Sequence, residues 1–137
     1  MRDIVIDTNV LIAGILKDST TRRLLDSKNI NFYIPEFAFE EIIKHKLELL
    51  NKSELSENEF DELLNLIIEN INVIPFEEIK PYIGKAKEIM KNIDLKDAPF
   101  IACALYLKSG ILSFDEDFKK QDSVRLFDIN DLIEQYI

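Results

Sequence analysis

The sequence is poor in cysteine, glycine and proline, with one, three and four of these residues among 137. The lone cysteine, Cys103, forms neither an intrachain disulfide nor a cysteine-based zinc site, and we expect a buried thiol. So few glycines and prolines, with 47% hydrophobic and 31% charged residues, exclude collagen-like, low-complexity and wholly disordered chains. The composition is that of a soluble globular protein, and the length predicts a single domain over residues 1–137.

Basic residues and long apolar runs are also scarce. With 17 Lys and Arg against 26 Asp and Glu, the formal net charge is −9, which excludes a uniform basic coat for non-specific binding to nucleic acid or anionic membranes. Any polyanionic partner must therefore be bound locally. The longest apolar runs, residues 10–16 and 98–107, are shorter than the ~18 residues of a membrane span, and the start of the chain lacks a signal-peptide core. We expect a cytoplasmic protein.

Hydrophobic periodicity predicts strands that alternate with helices. Strands are expected at 3–7, 32–34, 72–76, 111–114 and 124–127, and helices at 10–16, 19–25, 39–50, 56–68, 78–91, 98–108 and 130–137. Ser56 and Glu59 form a capping box, Gly110 is expected to end the helix before it, and Asn130 to cap the last helix. The alternation predicts an α/β fold, a three-layer α/β/α sandwich with a mostly parallel central sheet of about five strands.

Carboxylates fall where these strands and the following helices meet. In a parallel sheet such residues converge on one edge, beyond the carboxyl ends of the strands. Crowded carboxylates raise one another's pKa and destabilise the fold unless a cation neutralises them, and hard divalent cations prefer oxygen ligands. The sequence therefore predicts a Mg²⁺ or Mn²⁺ site formed by Asp7, Glu41, Asp97, Asp115 and Asp117.

Such a site suits hydrolysis of a phosphodiester. Metal-bound water has a lowered pKa and attacks in line, and two ions stabilise the attacking and the leaving oxygen. This chemistry needs carboxylates alone, which fits a chain whose only histidine is His45. The cations also attract the scissile phosphate locally, despite the negative net charge.

Each acid also has a simpler interpretation. Asp7 is a favoured residue for capping the first helix, and Asp115 with Asp117 resembles a solvated acidic turn. Asp97 is a weaker cap, because Pro99 favours the first helical position and would make Ala98 the cap. The joint placement of the acids at the strand ends favours the metal site.

Neighbouring residues complete the predicted site. Glu40 is assigned to a surface ion pair with Lys44, which leaves Glu41 for the site. Asp94 is either a loop residue or an outer ligand. Thr8, Asn9 and Ser113 have hydroxyl or amide groups that can orient carboxylates or bound water, although Thr8 and Asn9 also suit a helix start. His45 lies one turn beyond Glu41, where it either contacts substrate or is incidental.

Four segments in order resemble the motifs of the PIN domains, a family of metal-dependent nucleases that includes the VapC-type toxins of prokaryotic toxin–antitoxin pairs. The segments are 4–12 with Asp7, 34–42 with Glu41, 94–105 with Asp97, and 112–118 with Asp115 and Asp117. One departure is Phe114, where the family more often has a small or basic residue, and it alters the rim of the site.

The resemblance implies metal-dependent endonuclease action on single-stranded RNA, frequent homodimers and, in the toxin branch, inhibition by an antitoxin. The leading hypothesis is therefore a Mg²⁺- or Mn²⁺-dependent endoribonuclease, with Asp117 as ligand or as the base that orients water. Alternatives are an RNA-processing or quality-control nuclease, a receiver-like module that binds Mg²⁺ without hydrolysis, and an interaction protein with a silent site. Candidate RNA-binding residues are Lys17, Arg22, Arg23, Lys44, Lys46, Lys119 and Lys120.

Overall fold

A computed structural model describes residues 2–16 and 19–137 of the chain, leaving aside the side chain of Ser19. The strands are β1 Arg2–Ile6, β2 Ile30–Pro35, β3 Ile71–Ile74, β4 Gly110–Leu112 and β5 Leu126–Phe127. The helices are α1 Thr8–Ile15, α2 Ser19–Leu25, α3 Glu36–Lys44, α4 Lys46–Ser53, α5 Glu57–Glu69, α6 Phe76–Met90, α7 Ala98–Leu107 and α8 Ile129–Tyr136, and short 3₁₀ turns form at Leu95–Asp97 and Glu116–Lys120.

The strands form one sheet in the order β3-β2-β1-β4-β5, and every pairing is parallel. The predicted α/β fold with a parallel sheet of five strands is confirmed. From β1 the chain builds outward through β2 and β3 and then returns to place β4 on the other side of β1. The order of strands thus reverses between β1 and β4, the position at which open α/β sheets form a ligand crevice.

Both faces of the sheet are covered. Ile4, Val5 and Ile6 are consecutive residues of β1 that point to alternate faces, and all three are fully buried. Helix α7 is apolar around its whole circumference, packs against β1, β2, β4 and α6, and holds Cys103 as the expected buried thiol. No helix in the described ranges is long and apolar enough to cross a membrane.

The helix predicted over residues 39–50 is two helices, α3 and α4, which meet at His45. The interruption turns α4 so that Leu49 is buried and Leu47 is left exposed. It also brings Lys46 to α5, where its Nζ lies 3.1 Å from Glu57 Oε1 and 2.9 Å from Asp61 Oδ1. The apolar spacing alone gave no sign of this break.

Two predicted helix ends are corrected. Helix α7 ends at Leu107 through Lys108, whose φ of 54° is left-handed, so Gly110 does not end it. Gly110 instead begins β4, where a Cβ atom would lie 2.5 Å from the Phe127 ring. Helix α8 is capped by Asp128, whose side chain accepts a 2.7 Å hydrogen bond from the Asn130 amide, so Asn130 is not the cap.

Other local predictions are confirmed. Ser56 and Glu59 form the capping box of α5, with a 3.1 Å hydrogen bond in each direction. Helix α2 covers the predicted residues 19–25, and the strand predicted at 72–76 occupies Ile71–Ile74. The fold therefore sets the ends of β1 and β4 side by side, where the predicted acids follow.

Candidate metal centre

Asp7 directly follows the central strand and is almost completely buried. Its Oδ1 accepts a 3.0 Å hydrogen bond from the Val10 amide and so caps α1. Its Oδ2 accepts a hydrogen bond from the hydroxyl of Ser113, which follows β4. The two residues are neighbours because Ile6 pairs with Leu112 in the sheet register. Asp7 therefore both caps α1 and lies at the strand ends where the metal site was predicted.

The segment after β4 is a tight turn that positions two further acids, Asp115 and Asp117. Ser113 Oγ accepts the Asp115 amide at 2.9 Å, and Asp115 Oδ1 accepts the Asp117 amide at 2.9 Å. Asp115 thereby caps the 3₁₀ turn Glu116–Lys120. Lys120 Nζ lies 2.9 Å from Asp117 Oδ1, so one oxygen of Asp117 is ion-paired.

Asp94, Asp97 and Asp117 form the tightest group of acids, with one carboxylate oxygen from each lying within 4.8 Å of the others. Asp94 was left open as a loop residue or an outer ligand, and the structure places it beside Asp97. A 3₁₀ turn brings them together, since it stacks side chains three residues apart. The Asp97 amide donates a 3.2 Å hydrogen bond to the Asp94 carbonyl across that turn.

Asp97 is the most perturbed acid of the group. Its Oδ2 is buried and has no hydrogen-bond partner among the described residues. Burial, followed by the charges of Asp94, Asp115, Asp7 and Asp117, raises the pKa of Asp97 to about 7. The negative charges of the other four carboxylates therefore all act on Asp97.

Asp7 is perturbed in the same direction. Burial raises the pKa of Asp7, and the charge of Asp115 adds to that rise. Hydrogen bonds from Ser113 and Val10 oppose it by favouring the ionised carboxylate. Because the pKa of Asp7 is raised overall, these hydrogen bonds do not fully compensate for the desolvation of its carboxylate.

The cap interpretation of Asp97 is excluded by its hydrogen bonding. Asp97 precedes α7, but its side chain makes no capping hydrogen bond. Helix α7 begins at Ala98, so Pro99 is its second residue and Ala98 is not the cap, one position from the prediction. Asp97 as a whole is half-buried, but its buried Oδ2 accepts no hydrogen bond from the described residues, so this oxygen is free to hold a ligand.

The acids open into a cavity of about 860 Å³. Asp7, Asp94, Asp97 and Asp115 line it, and Glu41 lies on its wall outside the group of closest oxygens. Thr8, Asn9 and His45 line it as well. The Thr8 hydroxyl is buried without a hydrogen-bond partner among the described residues. Phe37 and Phe100 form a tilted pair in the wall, with ring centroids 5.3 Å apart.

Three lysines line the cavity, Lys44, Lys52 and Lys96, of which only Lys44 was predicted to bind RNA. Lys52 forms a 3.1 Å ion pair with Glu48. Lys44 and Lys96 form no ion pair with another described residue, so the predicted pair of Lys44 with Glu40 is not present. The position of Lys52 in α4, shortly after α3, could have indicated it from the sequence. Lys96 reaches the cavity through the 3₁₀ turn Leu95–Asp97, which the sequence did not predict.

Most of the other predicted RNA-binding residues are occupied elsewhere. Arg22 binds the carbonyl oxygens at the end of α1, with Nε 2.9 Å from Gly14 O. Lys46 pairs with α5, and Lys119 lies 2.8 Å from Glu116. Arg23 lines a groove between α2 and α5, and Lys17 lies outside the described residues. The cations available at the site are therefore those of the cavity wall.

A family model of the PIN domain matches residues 5–126. No curated protein matches the chain in sequence.

Two solved structures are similar in fold. One is VapBC2 from Rickettsia felis bound to a DNA fragment from its promoter, with a TM-score of 0.71, 16% identity, and coverage of 91% of this chain and 97% of that one. The other is a toxin–antitoxin complex from Klebsiella pneumoniae, with a TM-score of 0.65, 15% identity, and coverage of 92% and 97%. At such low identity, these likenesses show the fold alone.

Proposed function

The chain belongs to the PIN domain family, a family of nucleases, and from that membership we propose that it is a Mg²⁺- or Mn²⁺-dependent endoribonuclease acting on single-stranded RNA. One observation carries the proposal. A buried oxygen of Asp97 has no hydrogen-bond partner in the described chain and lies among four further carboxylates. Such an arrangement is costly for the protein alone and is stabilised by a cation.

The residues present fit a hard divalent cation. All the donors are carboxylate oxygens, and those of Asp94, Asp97 and Asp117 are close enough to share one ion. We propose that these three, with Asp7 and Asp115, hold the metal and that Glu41 contributes from the cavity wall. When bound, divalent cations supply positive charge that stabilises the attacking and leaving oxygens of a phosphodiester.

The protein's own groups prepare the site for that chemistry. Ser113 fixes Asp7 through its hydroxyl, and the hydrogen bonds of the turn after β4 fix Asp115. Asp97 holds a proton below about pH 7 when no cation is bound, so we expect cation binding to release it. We propose that Asp117 either ligates the cation or orients the attacking water.

Single-stranded RNA is the substrate that the resemblance implies, and the charge distribution is compatible with it. Lys44 and Lys96, which form no ion pair with another described residue, line the cavity, so they attract phosphates beside the site. A single strand can bend its phosphates into such a cavity.

A toxin role is the finer proposal, with an RNA-processing role as the alternative. It is supported by the fold similarity to two toxin–antitoxin complexes. We propose that a cognate antitoxin binds the chain and that two copies associate, as the resemblance implies. Induction of the chain alone should arrest growth, and co-expression with a small DNA-binding protein from the adjoining gene should restore it. Normal growth on induction of an active nuclease would favour the RNA-processing role.

The nuclease proposal is tested by cleavage of a labelled single-stranded RNA with Mn²⁺. We expect loss of cleavage with EDTA and in Asp7→Asn and Asp97→Asn, by about 100-fold or more. Asp122→Asn, which makes the same change at an exposed loop residue, should cleave normally. Calorimetric titration with Mn²⁺ should show weaker binding in the two site variants alone. Undiminished cleavage by Asp97→Asn would contradict the proposal.

A further inference from the structure

Phe114 is an exposed aromatic residue set between two residues of the site. Its neighbours in the chain are the buried Ser113 and the carboxylate of Asp115, yet 44% of Phe114 is open to solvent. Burial of a phenylalanine side chain stabilises a fold, so a position that exposes one forgoes that stabilisation. The ring is also where the sequence departs from the family motif.

The backbone on both sides of Phe114 is fixed. Before it, the Ser113 hydroxyl is bonded to the Asp7 carboxylate; after it, the Asp115 amide donates to Ser113 Oγ at 2.9 Å and the Asp117 amide to Asp115 Oδ1 at 2.9 Å. Rigid elements position binding groups more closely than mobile loops do. The ring is therefore carried on a preorganised turn.

The surroundings of Phe114 favour an uncharged, flat partner. The lysines of the same turn are neutralised within it, Lys119 by Glu116 at 2.8 Å and Lys120 by Asp117 at 2.9 Å. Lys44 and Lys96, which form no ion pair with another described residue, line the cavity. Phe114 lines a second depression of about 280 Å³ beyond Asp115, whose wall holds Phe127 and Asn130 together with the charged side chains of Asp115, Glu116, Lys119 and Asp128. The carboxylates there repel phosphates, which the lysines of the cavity attract, so the Phe114 side offers its aromatic face to an uncharged group.

Resting on the ribonuclease function proposed above, we propose that Phe114 is a substrate-binding residue on which a base of single-stranded RNA stacks beside the metal site. Exposed aromatic side chains bind unpaired bases in this way, and the interaction tolerates any base because every base has a π-face. The RNA strand then lies with its phosphates over the lysines of the cavity. One of its bases, separated from its neighbours in the RNA, stacks on Phe114.

The test measures the binding of a labelled oligouridylate by fluorescence anisotropy with Ca²⁺ in place of Mn²⁺, so that a cation neutralises the carboxylates, and gel electrophoresis verifies that the oligonucleotide stays intact. Phe114→Ala should raise the Kd about 10-fold or more, Phe114→Leu should also weaken binding, and Phe114→Trp should bind as the wild type does. The matched control is Phe76→Ala, which truncates a similarly exposed phenylalanine at the start of α6 and should leave the Kd unchanged.

An abasic oligonucleotide of the same length separates stacking from other effects. Wild type and Phe114→Ala should bind it equally, because it has no base to stack. An unchanged Kd in Phe114→Ala, wild-type affinity in Phe114→Leu, or an equal loss on the abasic strand would overturn the proposal. So would the absence of any RNA binding by the wild type.

Cleavage kinetics distinguish this inference from the nuclease proposal. In an active enzyme Phe114→Ala should raise KM more than it lowers kcat, with Mn²⁺ affinity unchanged. RNA cleavage that is lost in Asp97→Asn but indifferent to Phe114 would overturn the stacking proposal and leave the nuclease intact. RNA binding that depends on Phe114, without any cleavage, would support the stacking proposal and contradict the nuclease proposal.

Discussion

Ser113 donates a hydrogen bond to the carboxylate of Asp7, a residue 106 positions earlier in the chain. The same Ser113 oxygen accepts the Asp115 amide, so one side chain joins the ends of β1 and β4 and fixes the turn that follows. Two of the proposed ligands, Asp7 and Asp115, are thus positioned through a single hydroxyl group.

Removing that hydroxyl should weaken both the fold and the site. We expect Ser113→Ala to lower the free energy of unfolding by about 1–3 kcal/mol, because a buried carboxylate loses a donor. The pKa of Asp7 should rise further, since this hydrogen bond favours the ionised form. Urea unfolding and Mn²⁺ titration measure the two effects. Ser113→Thr keeps the hydroxyl and should be near the wild type; equal losses in both variants would argue against the hydrogen bond as the cause.

The metal-free protein should lose stability as pH rises through the titration of Asp97. Its pKa is raised from 3.8 to about 7, so the folded state binds this proton more tightly than the unfolded chain does. The contribution is therefore fully present below pH 3.8 and is lost by about pH 7. Asp97→Asn removes this pH dependence, because its amide stays uncharged like protonated Asp97. In EDTA the variant should therefore unfold at nearly the wild-type Tm at pH 4 and at a higher Tm than the wild type at pH 8.

Mn²⁺ should reverse this order. Bound cation favours ionised Asp97, so the wild type should gain Tm at pH 8 while Asp97→Asn gains much less. Thermal scans with and without Mn²⁺ give all four values. A Tm difference between the two proteins that is independent of pH in EDTA would show that Asp97 is not perturbed.

Asp94 should matter more for metal affinity than its place in a loop suggests. Asp94 belongs to the closest group of carboxylates, whereas Glu41 lies on the cavity wall. We expect Asp94→Asn to weaken Mn²⁺ binding about 10-fold or more and Glu41→Gln to weaken it less. Isothermal titration of both variants decides the order. The opposite ranking would place the ion nearer to α3.

Two glycines should respond oppositely to alanine. At Gly110 a Cβ would lie 2.5 Å from Phe127 Cε2 and 2.8 Å from the Arg125 carbonyl, so Gly110→Ala should destabilise the fold by about 1–3 kcal/mol. At Gly84, in α6, a Cβ meets nothing within 4 Å, so Gly84→Ala should stabilise it by about 0.5–1 kcal/mol. Chemical denaturation of the two variants provides the comparison, and destabilisation at both positions would contradict the packing argument.

The sequence was informative where one local rule governs one position. Asp7 follows a short apolar strand, and the parallel order of strands is enough to place it with the residues after β4. The capping box of α5 depends only on residues three apart and was found by spacing. The fold and the convergence of Asp7, Asp97 and Asp115 could therefore be predicted.

The sequence was misleading where long-range packing decides the local conformation. Glycine is the usual residue after a helix, but here Gly110 lies in β4 against Phe127, and Lys108 takes the left-handed conformation that ends α7. The break at His45 allows contacts with α5 that lie outside the local pattern. The closeness of Asp94 to Asp97 likewise required a 3₁₀ turn that the loop sequence did not indicate.

The return of the chain to β4 has a consequence for biosynthesis. The ribosome synthesises Asp7 before Ser113, Asp115 and Asp117, and β1 has no β4 neighbour until residues 110–112 have been made. A growing polypeptide therefore lacks two of the six proposed site carboxylates, Asp115 and Asp117, until more than 100 residues have been added after Asp7. If the protein is harmful to RNA, the translating ribosome and its message are protected from the nascent chain until β4 and the turn after it have been synthesised.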